Sequence, residues 1–186
     1  MSTPTRAIPR TDASARDTGA GPAPVSPAHD AGLLLLRLAL GLTMAVHGAQ
    51  KLFGWFGGGG IEGTGRFFAS LGYPSGEAMA VVAGLTETAG GLALVLGLLT
   101  PLAGAAVLGT MINAVAVKWG GGFFAPRGVE YELLLTAAAA ALTLTGPGRW
   151  AVDRLLPVLR PHRLAHGAAA VALGAAAAGL TLLARS

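Results

Sequence analysis

Five long apolar runs, broken by short polar or glycine-rich stretches, organise this chain: 31–53, 78–99, 102–119, 129–145 and 164–184. About 20 helical residues cross a hydrocarbon core, so the first, second and fifth runs are long enough to span one. The third and fourth are shorter and alanine-rich. They need protein neighbours, and the fourth must place its end at Glu130 and Glu132 near the interface. The pattern predicts an all-α transmembrane helical bundle.

The breaks predict the connections. Residues 1–29 are polar, rich in Pro, Ala, Ser and Thr, and contain no apolar run; the expectation is a disordered tail rather than a signal peptide. Between the second and third runs "LLTPLAG" leaves only a tight Thr-Pro turn, which makes those helices an antiparallel hairpin. The loop 54–76 holds "GTGRFFASLGYP" and predicts a short helix lying at the membrane surface. A second loop, "KWGGGFFAPRG", has a similar composition. Lys51 and Lys118 each end a run before such a loop, and Glu87 and Glu132 each open a stretch leading to Thr100 and Thr145. This suggests a parallel repeat of two hairpins.

Composition agrees with a lipid environment. Of the 186 residues 53% are hydrophobic and 12% charged, about half the charged share usual in soluble domains. The net charge of +4 does not point to nucleic acid, because the basic residues sit mostly between apolar runs. The absence of cysteine excludes disulfides, thiol catalysis and iron–sulfur ligation by this chain. With the tail inside, Arg6, Arg10, Arg16, Arg149, Arg154, Arg160 and Arg163 lie on the inner side. Lys51, Arg66, Lys118, Arg127 and Arg185 lie on the outer. That balance favours a cytoplasmic N-terminus in a bacterial plasma membrane and, after five spans, a C-terminus outside.

The polar residues inside the runs carry the candidate chemistry. Arg37, Gly41, Met44, Gly48 and Lys51 share one face of the first helix, and its glycines should turn that face into the bundle. Arg37 needs either an anionic partner or a short snorkel to the inner surface. Glu87 lies near the middle of its span, too deep to snorkel, with Gly84 and Gly91 on its own face. It is either a carboxyl locked to Arg37 or Lys51, or a group for proton or quinone chemistry. Counting depth along the helices places His47, Asn113 and Glu132 in the outer half and the two lysines at its boundary. His47 and Glu87 are therefore the candidate catalytic residues, with Arg37, Lys51, Glu132 and Asn113 as ion-pair or structural groups. Of the four histidines only His47 is well inside a span, so neither bis-histidine haem ligation nor a metal site is expected. "GGGIEG" formally fits G-x-G-x-x-G but follows a membrane helix rather than a strand.

Three motifs in order, "HGAQKLFGWFGG", "AGLTETAGGLALVLGLLTPLAG" and "GGFFAPRGVEYELLLTAAAAALTLTGPGRWAVDRLL", resemble the DoxX family of small bacterial membrane proteins. The resemblance covers 33–156 and implies a four-helix membrane core, 30–156. The extension 157–186 departs from it and is expected to add a fifth C-terminal transmembrane helix. The motif positions carried over are Arg37, His47, Gly48, Lys51, Glu87, Gly90, Gly91, Glu130, Tyr131, Glu132, Gly146, Gly148 and Asp153. The family is named from subunits of quinone-linked oxidoreductase complexes, so the resemblance implies an association with redox chemistry without fixing an activity. The expected role is a quinone-linked membrane subunit whose flavin, haem or metal resides in a partner subunit. Beside it stand a non-catalytic scaffold or assembly factor, and a small proton-linked transporter. Self-association is open.

Overall fold

The computed structural model describes residues 26–156 and 162–185. The polar tail before Ser26 lies outside the described residues. Six α-helices and three single 3₁₀ turns make up the fold, with no strand among the described residues. The first helix, α1 (Pro27–Phe53), begins three residues inside the expected tail, because Ser26 caps it and Pro27 supplies the first helical φ. It stops at Gly54, left-handed at φ 70°, whose N–H returns to the Gln50 carbonyl. The surface loop forms the expected short helix, α2 (Gly60–Ser70), which packs on the start of α3 (Gly76–Leu96).

A three-residue break leads into α4 (Thr100–Lys118), with Pro101 in its first turn, which gives the predicted hairpin. The fourth run becomes α5 (Glu130–Thr145), and the last becomes α6 (Leu164–Leu183). Four helical stretches are long and apolar enough to cross a membrane: α1, α3, Thr100–Gly121 and α6. At 16 residues α5 is shorter, about 24 Å. It still runs the height of the bundle, since Glu132 at one end pairs with Lys118 and Pro147 beyond the other touches Arg37. These ends are called here the lysine end and the arginine end.

Packing follows the small residues. α1 and α3 form the most intimate pair, and α4 packs against α3, α5 and α6. The predicted inward face of α1 is buried at Arg37, Gly41, Met44 and Gly48. It meets the glycines on Glu87's own face: a Cβ on Gly41 would lie 2.6 Å from the Gly91 carbonyl, and one on Gly48 2.6 Å from that of Gly84. With so little hydrophobic driving force between helices in lipid, this backbone approach holds the pair together. Gly91→Val should therefore destabilise the detergent-solubilised protein by about 1–3 kcal/mol through overpacking, read as a lower thermal midpoint. An unchanged midpoint would mean that α1 and α3 do not meet there.

The last helix buries Gly167, Ala170, Gly174 and Ala178, which form one small-residue face. A Cβ on Gly174 would sit 2.5 Å from the Ala105 carbonyl of α4. α6 is thus docked against α4 and, less extensively, α5.

Candidate functional site

At the lysine end, polar side chains from five helices converge on one cavity of about 570 Å³. Glu87, 2% exposed, accepts a hydrogen bond from Lys51 Nζ at 2.6 Å. Of the two cations open to it from sequence, Lys51 is the partner. It reaches back from the last turn of α1, and its Nζ also donates to the His47 carbonyl at 3.4 Å. Lys118, at the end of α4, donates to Glu132 Oε1 at 2.7 Å. The two lysine–glutamate pairs occupy the positions expected of the hairpin repeat: a lysine closing one helix meets a glutamate on its neighbour. Glu132 Oε2 is buried and has no hydrogen-bond partner among the described residues.

His47 lies between these pairs and joins α1 to α5. Its Nδ1 is 3.0 Å from Gln50 Oε1, and its Nε2 3.0 Å from the Tyr131 hydroxyl. The protons can be placed by counting donors. The Phe56 carbonyl only accepts, so the Gln50 group 3.2 Å from it is the amide nitrogen. Gln50 Oε1 then faces His47 and can only accept, which puts a proton on Nδ1. In the neutral ring Nε2 is left with a lone pair, and Tyr131 donates to it. The result is a phenol hydrogen-bonded to an imidazole of fixed tautomer, beside two ion pairs, at the wall of a largely apolar cavity. Gln50, three residues from His47 on the same helix face, could have been found by spacing. Tyr131 stood among the motif positions, but nothing in its own segment marked it as His47's partner.

Asn113 lines the same cavity but serves as a fastening. Its Oδ1 accepts from Tyr73 and from Thr181, each at 3.0 Å, and its Nδ2 donates to the Gly109 carbonyl. Burial pushes the Tyr73 phenol above its ordinary pKa, while Arg185, lying over the ring, opposes this.

Arg37 is not part of this site. It lies at the arginine end, 1% exposed, and neither pairs with Glu87 nor snorkels. Its guanidinium donates to four backbone carbonyls: Leu94 and Val95 at the end of α3, and Pro147 and Trp150 in the segment after α5. Among the described residues no three His, Asp or Glu side chains converge as a metal donor set.

The DoxX family model matches residues 32–119. The chain is 39% identical to "Putative oxidoreductase CatD" of Bacillus subtilis over 113 residues, 60% of this chain and 78% of that protein. It is 30% identical to "Uncharacterized membrane protein Rv3486" of Mycobacterium tuberculosis, covering 67% of this chain and 80% of the relative. It is also 30% identical to "Inner membrane protein YphA" of Escherichia coli, covering 66% and 88%. No solved structure matches the chain. With four helices among the described residues long and apolar enough to cross a bilayer, and relatives matched over most of their length, the chain is a multi-pass membrane protein of the DoxX family.

Proposed function

We propose that this protein is a membrane subunit of a quinone-linked oxidoreductase complex, and that the cavity at the lysine end holds the quinone ring. The observation that carries this is the convergence of Tyr131–His47, Lys51–Glu87 and Lys118–Glu132 on one cavity inside the span region. The lysines and glutamates balance in charge, which suits a neutral ring with carbonyl oxygens. Tyr131 and the lysines are donors for such oxygens, and His47 and the glutamates can hold a proton at the cavity wall. The name of the Bacillus subtilis relative supports the redox arm of the reading. Electrons would come from a flavin, haem or iron–sulfur group in a partner subunit, as the cysteine-free chain offers no iron–sulfur ligands.

Two experiments test this. Protein purified gently from native membranes should carry quinone and a redox partner. Glu87→Gln and His47→Gln should each weaken quinone binding by about tenfold or more, the loss of a group worth about 1.4 kcal/mol, while insertion and thermal midpoint stay near wild type. A stably inserted Glu87→Gln protein with unchanged quinone binding and unchanged complex activity would leave the scaffold reading. That reading has one observation in its favour: both glutamates already have lysine partners.

The orientation belongs to the same proposal. The lysine end faces outward from the bacterial plasma membrane, and the N-terminus is cytoplasmic. In this cysteine-free chain, a cysteine at position 60 should label from outside intact cells and one at position 15 should not. Labelling at position 15 would reverse the assignment.

A further inference from the structure

The polar chamber takes up only one end of the cavity; the remainder is long, apolar and open at its side. From Lys118 the lining follows one face of α4 back through Thr110 and Ala106 to Leu102. That is about 24 Å of helix at 1.5 Å per residue, far more than a single ring fills. This face of α4 lies between α3 and α6, which both pack on α4 and scarcely on each other. Val82 of α3, Leu102 of α4 and Leu173 of α6 line the opening and are each more than half exposed. Between them the floor and wall are small: Ala105, Ala106 and Gly109 on α4, Gly174 and Ala177 on α6.

The α6 wall is fixed in place at both levels. Lower down, Gly174 lies directly on the Ala105 backbone. At the lysine end Thr181 donates to Asn113, and Arg185 donates to the Leu71 carbonyl beyond α2 at 3.0 Å. The trench is therefore a built feature, continuous with the chamber of ion pairs, and α6 lies beyond the residues matched by the family model.

We infer that this trench is a chain-binding subsite, walled by α6, for the prenyl chain of an amphiphile whose ring occupies the polar chamber. The ring's identity rests on the quinone reading above, but the chain subsite does not depend on it. Any hydrocarbon can pass along a groove in lipid. A chain anchored by its head at one end stays, and close packing rather than water exclusion then distinguishes it.

The test uses the full chain in nanodiscs with two quinones of the same ring, one short-chained and one with several prenyl units, their affinities corrected for partition into the bilayer. Wild type should bind the long-chain quinone about tenfold tighter, equivalent to about 1.4 kcal/mol. Ala106→Leu with Ala177→Leu, filling the trench and sparing the chamber, should erase that advantage and leave short-chain binding unchanged. Val82→Trp, blocking the opening from α3, should do the same and guards against misfolding of the double variant. Equal corrected affinities in wild type, or equal weakening of both quinones in the variants, would overturn the subsite while leaving the ring site standing. A photoreactive fatty alcohol separates the opposite case. If neither quinone binds, saturable labelling near Ala106 and Ala177 above that at Leu35 and Leu42, exposed on α1, still supports the trench. Equal, unsaturable labelling at all four positions rejects it.

Discussion

Lys51→Met should cripple the protein's stability, Glu87→Gln should not, and the double variant should recover most of the loss. The asymmetry follows from exposure. Glu87 has 2% of its side chain exposed and Lys51 has 22%. Removing the lysine strands a carboxylate against α1 and α4 in hydrocarbon, and breaking a buried pair in this way costs about 3–5 kcal/mol. Removing the charge on Glu87 leaves an amide of the same shape whose oxygen can still accept from Lys51, itself partly exposed at the lysine end. That change should cost less than about 1 kcal/mol, because the hydrogen bond is weakened but not lost. Thermal unfolding of the two singles and the double in detergent gives the cycle, and the coupling should exceed about 1 kcal/mol. Equal losses in the two singles, adding in the double, would mean that the 2.6 Å pair contributes nothing specific. The same measurement bears on function, because Glu87→Gln is then a stable protein in which quinone binding can be read cleanly.

The helices were legible because each run obeys one physical constraint at a time. Length and hydropathy marked the spans, and small residues at spacing four or seven marked the faces that touch. Gly41 with Gly48, Gly84 with Gly91, and Ala170 with Gly174 and Ala178 could be read from single segments, since a close approach needs small side chains on the helix that makes it. The depth count likewise put His47, Asn113 and Glu132 in one half of the membrane with the two lysines at its boundary, and all five line the cavity.

Partner choice was less accessible. Arg37 and Lys51 share a face of α1, so a face argument alone leaves Glu87 two candidates. Only the relative height of α1 and α3 decides between them, and no residue within either helix encodes that height by itself. The same is true of Tyr131, which meets His47 across 84 positions of sequence. The motif "GPGRWAVD" was visible as a pattern, but its role comes from distant elements. Asp153 accepts from the N–H groups of Leu99 and Thr100, capping α4, which has no side-chain cap of its own. Arg149 pairs with buried Asp30 near the start of α1. These contacts join elements 53 to 119 residues apart. They form a clasp that ties together the ends of α1, α3, α4 and α5.

Arg37 is the centre of that clasp, and its replacement should be among the most damaging single changes in the chain. Four of its five N–H groups are used, all on backbone carbonyls, at 2.7 to 3.1 Å. Two of those carbonyls belong to the last turn of α3, where the dipole favours a cation. The other two belong to the turn that carries Asp153 towards α4. Arg37→Met keeps most of the volume and takes the Arg37 donors from all four carbonyls where water is scarce, although the Leu94 carbonyl still accepts from the Gly97 N–H. Hydrogen bonds from a charged group contribute about 1.5–3 kcal/mol each, so a total loss of at least about 3 kcal/mol is expected. Arg37→Lys should restore little of it, because one ammonium cannot spread its donors over four carbonyls as the planar fork does. Gly97→Ala gives an independent check. Its Cβ would lie 2.7 Å from the Arg37 Cζ and 2.5 Å from the Ala151 Cβ, at a φ of 67° that only glycine adopts freely. Both variants should lower the thermal midpoint and the yield of inserted protein. The fraction that does fold should bind quinone normally, since the clasp and the chamber lie at opposite ends of α1. An Arg37→Met protein with an unchanged midpoint would show that the carbonyl cage is dispensable, and a folded one that fails to bind quinone would show that the two ends are coupled.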